Sequence, residues 1–235
     1  KIVVYLGLTF LMLTRGSFAT EPVEIKFATA IIPPYQLLDA DDQLKGRSVA
    51  ILECAMAPLN QSYSVSVLPW LRPQMLVEKG EFDAFFIASE NAERNRYAKI
   101  SRPLFDSSWI WFYPKKSLLD PSSDSFAYNA SVGGVFGTNM NAWLKKYFEY
   151  AVIKTTADEL FKLLSVERLD AILLTELMFK DSVKRLGLKE SDFKRVVAKK
   201  RPLGVYFGNT FLKKHPEWLS QFNQSIKNCQ SPRPL

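Results

Sequence analysis

Between Phe82 and Ala88 the chain is apolar at every position except Asp83. A run this short and this continuous fits a strand covered on both faces, as in a parallel sheet. Parallel strands need long crossovers, usually helical, so the run commits the chain to alternating strands and helices. The residues around it agree. Pro73 suits the first turn of a helix and Gly80 its C-terminal stop. Ser89 follows the strand as an N-cap residue, and Arg94 then falls on the first turns of the next helix. A strand end, a helix N-terminus and a guanidinium together suit a small anion such as a carboxylate.

The same alternation runs through the chain. Val23 to Ala28 reads as a strand and Ile31-Ile32-Pro33-Pro34-Tyr35 as the loop after it. Arg47 to Ala57 reads as a helix, Ser64 to Val67 as a strand, and Ser107 to Tyr113 as a strand rich in aromatics. Ser131 to Phe136 is a strand, and Gly137-Thr138-Asn139 opens a helix to about Tyr150. Thr156-Ala157-Asp158-Glu159 is a capping box for a helix through Val166. Asp170 to Leu174 is a buried strand, and a helix ended by Gly187 follows it. Arg195 to Ala198 is a further strand, Pro202 to Phe207 runs back, and Asn209 to Asn228 forms the last helix.

The 235 residues are 47% hydrophobic and 23% charged, which suits a chain with a real core. Ile2 to Leu13 is almost wholly apolar, Lys1 precedes it, and Ser17-Phe18-Ala19 supplies small residues at a cleavage position. We read residues 1–19 as a signal peptide, because a run this short does not reach the roughly 20 residues of a membrane span. No cysteine follows the run, so a soluble periplasmic protein is expected. The net charge of +7 comes from basic residues in scattered pairs, which read as solvated faces and not as a nucleic-acid stripe, and export agrees with that, so no nucleic-acid partner is expected. Cys54 and Cys229 can pair in an oxidising compartment, or remain two separate buried thiols. His215 is the lone histidine, so a Ser/His/Asp triad has no support, and neither a metal-ligand cluster nor a phosphate loop is present. No cofactor is expected.

The order Ser89, Arg94, Ser101-Arg102-Pro103 resembles the family 3 extracellular solute-binding proteins, periplasmic receptors for polar amino acids and similar solutes. The resemblance runs from about residue 24 to residue 228. It implies an α/β, two-lobe type II periplasmic-binding fold, each lobe a mixed sheet flanked by helices, with two hinge strands. Lobe 1 would comprise residues 20–110 and 205–235, and lobe 2 residues 111–204. The implied function is a monomeric receptor that closes around a small polar, carboxylate-bearing solute for the permease of an ABC importer. Two alternatives are a receptor that reports to a membrane sensor, and an enzyme like the cyclohexadienyl dehydratases that share this fold.

In such a receptor Arg94 would clamp the ligand carboxylate with a forked pair of bonds, and Ser89 would add a hydroxyl. Tyr35 and Trp70, in loops after strands, would cover the rest of the solute. Arg72 is a further cleft candidate. Trp109 and Trp111 are expected on opposite faces of a hinge strand, one of them in the cleft. From lobe 2, Thr138 and Asn139 would meet the carboxylate at a helix start. Amino-acid receptors of this kind place an aspartate after the Asp-Ala strand, here Asp170-Ala171, to hold the ligand's ammonium. This chain has Thr175 there, followed by Glu176, which could supply the charge if the helix start turns it inward. Glu176 is also the carboxylate that the dehydratase alternative would use.

Overall fold

A computed structural model describes residues 24–229, so the expected leader over 1–19 lies outside the described residues. The chain first forms β1 (Ile25–Thr29), β2 (Leu37–Leu38), β3 (Leu44–Lys45), α1 (Arg47–Met56), β4 (Tyr63–Val67), α2 (Leu71–Lys79), β5 (Ala84–Ser89) and β6 (Ala98–Ile100). It continues as β7 (Ser108–Pro114), α3 (Phe126–Asn129), β8 (Val132–Val135), α4 (Asn139–Tyr147), β9 (Ala151–Lys154), α5 (Ala157–Ser165), β10 (Ala171–Leu174) and α6 (Glu176–Arg185). It ends with β11 (Phe193–Lys200), β12 (Leu203–Gly208), α7 (Asn209–Lys214) and α8 (Trp218–Ile226).

Two five-stranded sheets carry the fold, ordered β4-β1-β5-β12-β6 and β11-β7-β10-β8-β9. The first is the sheet of lobe 1 and the second that of lobe 2. Within each, four strands run in one direction and a single strand, β12 in the first and β7 in the second, runs against them. The chain passes between the sheets twice, over residues 101–107 and at 201–202. The two passages touch where the Arg201 N–H donates to the Ser107 carbonyl at 2.8 Å, beside the bridge from Phe105 to Leu203 at the start of β12.

Packing explains the elements. All six residues of β5 are buried, as the apolar run requires, and Phe27, Phe86 and Phe207 from three neighbouring strands meet edge to face. Gly80 ends α2 at φ 76° and Gly187 follows α6 at φ 66°, left-handed conformations that glycine adopts without strain. Cys54 on α1 and Cys229 just beyond α8 are joined in a disulfide, with Cα atoms 5.8 Å apart. The expected last helix is broken in two. Pro216 has no N–H to continue α7, and α8 begins at Trp218. The helix expected to reach Tyr150 stops at Tyr147, because Phe148 turns into the core and β9 pairs with β8.

Candidate functional site

A cavity of about 830 Å³ lies between the lobes and is lined from both. It sits beyond the carboxyl ends of the parallel strands, where open α/β sheets present their loops and helix starts. In lobe 1 those connections carry Tyr35 after β1, Trp70 after β4, and Ser89 with Arg94 after β5. In lobe 2 they carry Thr138 after β8, Thr156 after β9 and Thr175 after β10.

The lobe 2 threonines are helix caps. The hydroxyl of Thr138 accepts from the N–H of Asn141, that of Thr156 from Glu159, and that of Thr175 from Met178. Thr156 and Glu159 complete the capping box expected from the sequence. Three helices therefore aim their N-terminal, electropositive ends at the cavity.

Arg94 is 5% exposed. It lies on a short 3-10 turn, Arg94–Arg96, where a longer helix was expected. Its Nε donates to Gln74 Oε1 at 2.9 Å and its Nη1 to the Ser89 carbonyl at 3.0 Å. The guanidinium also lies over Trp70, 5.5 Å from the ring centroid, and near Phe85, at 5.9 Å. Burial pulls its pKa down, the nearby Tyr206, Tyr97 and Glu93 opposing that pull. Nη2 has no hydrogen-bond partner among the described residues.

Ser89 does not cap a helix. It is the last residue of β5, and its hydroxyl accepts from Asn139 Nδ2 of lobe 2 at 2.8 Å. Asn139 Oδ1 in turn accepts from Asn91 Nδ2 at 3.2 Å. A second link between the lobes runs from the Tyr35 hydroxyl to Thr175 Oγ1, 3.1 Å away. Burial raises the Tyr35 pKa, with the bond to Thr175 opposing it, so the phenol stays protonated and donates. The loop that presents Tyr35 is pinned by buried Gln36, which donates to Thr29 Oγ1 and the Ala30 carbonyl and accepts from Ser48.

Of the remaining candidates, Trp109 lines the cavity and Arg201 stacks on it, 5.1 Å from the ring centroid. Trp109 and Trp111 do not face opposite ways. Residues two apart on a strand share a face, and both tryptophans pack against Trp143, at 5.9 and 6.1 Å. Arg72 is exposed on α2 and does not line the cavity. Glu176 is not turned inward either. Its carboxylate pairs with Arg195 at 2.7 Å and Lys180 at 3.4 Å, away from the cavity.

The sequence reading missed a group on the lobe 2 wall. Asp158, Asp181 and Arg185 all line the cavity. Arg185 donates to both Asp158 oxygens, at 2.7 and 3.2 Å, and to Asp181. Those bonds hold the Asp158 carboxyl below its usual range and raise the Arg185 pKa. The i,i+4 spacing of Asp181 and Arg185 is visible in the sequence, but nothing there places α5 beside α6. Among the described residues there is no group of acids, histidines or cysteines fit to hold a metal.

No protein-family model matches the chain, and no curated protein matches it. Solved structures do. Arginine-bound ArgBP from T. maritima superposes with a TM-score of 0.67 at 16% identity, over 87% of this chain and 95% of that one. The arginine-, lysine-, histidine-binding protein ArtJ from Geobacillus stearothermophilus gives 0.68 at 15% identity, covering 88% and 89%. A histidine kinase sensor domain with similarity to periplasmic binding proteins gives 0.69 at 15%, covering 87% and 89%. The chain therefore has the two-lobe type II periplasmic-binding fold, with its cavity between the lobes.

Proposed function

We propose that this chain is an exported receptor that closes two lobes around a small carboxylate-bearing solute and delivers it to an ABC importer. The observation that carries the reading is the buried guanidinium of Arg94 at the wall of an interlobe cavity, facing three helix N-termini. The guanidinium, whose Nη1 holds the Ser89 carbonyl, and the N–H groups at the start of α4, whose Asn139 reaches Ser89, are brought together at the end of β5. These are donors, and donors suit an oxyanion. The binding proteins among the structural neighbours support the receptor reading, since two of them are described as binding arginine or related amino acids. The passages at 101–107 and 201–202 serve as the hinge, with residues 108–200 moving as lobe 2.

A second reading, a sensor receptor for a membrane partner, is favoured by the kinase sensor domain that superposes as well as the transport proteins do. Native mass spectrometry of freshly purified protein tests the first step of both. A retained, stoichiometric solute is expected, together with a smaller radius of gyration in the solute's presence. Protein that holds no solute and keeps one radius with every solute offered would overturn the receptor reading.

A further inference from the structure

The lining of the cavity says more about the solute than the Arg94 handle does. A pocket tuned to an α-amino acid needs an acceptor, preferably a carboxylate, for the ammonium beside the ligand's carboxyl group. Among the described residues the cavity lining offers no carboxylate that is unpaired. Thr175 is neutral, and its Oγ1 already accepts from both Tyr35 and Met178. The two acids in the lining, Asp158 and Asp181, are both ion-paired with Arg185. Glu176 is outside and paired elsewhere.

Much of the remaining wall, chiefly on the lobe 1 side, is apolar. Ile31, Val67 and Phe136 keep 40%, 36% and 63% of their surfaces exposed while lining the cavity, and Trp70 and Trp109 add rings. Exposed apolar surface gathered in a concave site marks a place where an apolar partner is covered. Ile87 gives an independent sign. It lines the cavity at φ 63°, a conformation that β-branched residues avoid, where β5 and β12 slip register by one residue. Such a bulge re-aims a side chain, and strain of this kind collects at binding sites. Here it holds an isoleucine at the wall. The volume, about 830 Å³, stands high in the range of about 300–1,000 Å³ for drug-sized ligands, more than a free amino acid fills.

We infer that the solute is a monocarboxylate with an apolar, ring-sized body and no ammonium beside its carboxyl group. This rests on the receptor reading, and it makes α-amino acids poor ligands despite the fold. Arg94 would take the carboxylate. The apolar wall would cover the body, and the Tyr35–Thr175 bond would close the place where an ammonium would otherwise be held.

The test is calorimetric titration of the purified chain, freed of retained solute, with four probes. These are 3-phenylpropionate, its α-amino counterpart phenylalanine, its neutral amide 3-phenylpropanamide, and arginine. We expect 3-phenylpropionate to bind at least tenfold more tightly than each of the other three. Thr175→Asp should narrow the gap to phenylalanine by supplying the missing acceptor. Ile87→Asn, a residue that tolerates the left-handed conformation, should weaken 3-phenylpropionate. Tighter binding of phenylalanine by wild type would overturn the inference and leave the receptor reading standing. So would tighter arginine, which would place a cation against the Asp158–Arg185–Asp181 group. Binding of none of the four would also overturn the inference, and the retained-solute measurement would then decide separately whether the chain is a receptor.

Discussion

The two lobes are built on one plan and finished differently. In each sheet the first parallel strand is flanked by the second and third, β1 by β4 and β5, and β8 by β9 and β10. An antiparallel strand then lies against the third, β12 in lobe 1 and β7 in lobe 2. At the cavity the likeness ends. The lobe 2 helices α4, α5 and α6 all start from threonine caps. In lobe 1, α1 and α2 start from Gly46 and Trp70 with no side-chain cap, and a 3-10 turn bearing Arg94 follows the third strand. One wall thus presents hydroxyls and helix ends, the other rings and a cation. A shared topology fixes where ligand-facing positions lie, and the residues placed there decide which wall supplies the charge.

That division is most exposed at Arg94. With a carboxylate ligand bound, Arg94→Ala should leave the ligand's charge unpaired in the closed cleft and cost about 2–5 kcal/mol, roughly 30- to several-thousand-fold in affinity. Arg94→Lys should also weaken binding, since one ammonium cannot keep the bonds to Gln74 and Ser89 and reach the ligand as well. Titration of each variant, with circular dichroism to check the fold, measures this. Unchanged affinity in Arg94→Ala would mean that the charge comes from the lobe 2 wall instead.

The next effect belongs to lobe 1 alone. The disulfide joins Cys54 to Cys229 across 175 residues of sequence and ties α1 to the end of α8. Replacing both with alanine should cost about 2–5 kcal/mol, because so long a loop is no longer closed in the unfolded chain. Denaturant unfolding of oxidised and variant protein reads the loss. If the lobe 2 signal shifts as far as that of lobe 1, the stability of the two lobes is not separable in this way.

A matching perturbation of lobe 2 is Gly133→Ala. A Cβ there would stand 2.7 Å from both Leu160 Cδ2 and Leu169 Cδ1, inside a packed core. Overpacking of this kind costs about 1–3 kcal/mol. Thermal unfolding should show it, with the Arg94 wall and its affinity retained.

The smallest effect is electrostatic and sharpens the contrast at the wall itself. The bonds from Arg185 depress the Asp158 pKa in the folded protein. Their stabilisation is therefore complete above the unfolded carboxyl value, about 3.9, and fades as pH falls through the lower folded value. Arg185 is about half exposed, so screening limits the pair to about 0.2–1 kcal/mol. Stability of wild type and Asp158→Asn, measured from pH 7 to pH 3, should converge at the acid end. A constant difference across that range would assign Asp158 a packing role.

Much of the fold was legible because its signals are local. The apolar run of β5, the capping box at Thr156 and the stops at Gly80 and Gly187 each act through neighbouring residues. Strand β9 was hidden because Tyr147 and Phe148 continue a helical pattern until tertiary packing turns Phe148 inward. The five-residue step from Ser89 to Arg94 was readable, but its geometry was not. A tight turn brings Arg94 back onto the Ser89 carbonyl, and contacts with Gln74, Trp70 and Phe85 hold it there. The Asp158–Arg185–Asp181 group stayed invisible because it depends on how α5 packs beside α6.

Strand β12 carries a consequence for how this chain is made. It lies between β5 and β6, near the middle of the lobe 1 sheet, yet it follows every strand of lobe 2 in sequence. While the chain emerges N-terminus first, all of residues 108–200 can assemble before Leu203 arrives. Throughout that interval β5, apolar from Ala84 to Ala88, leaves open the edge that β12 will cover, the kind of edge that pairs with other chains. The vulnerable moment for this protein is therefore the wait for a single late strand, and a chain shortened before Leu203 would never leave it.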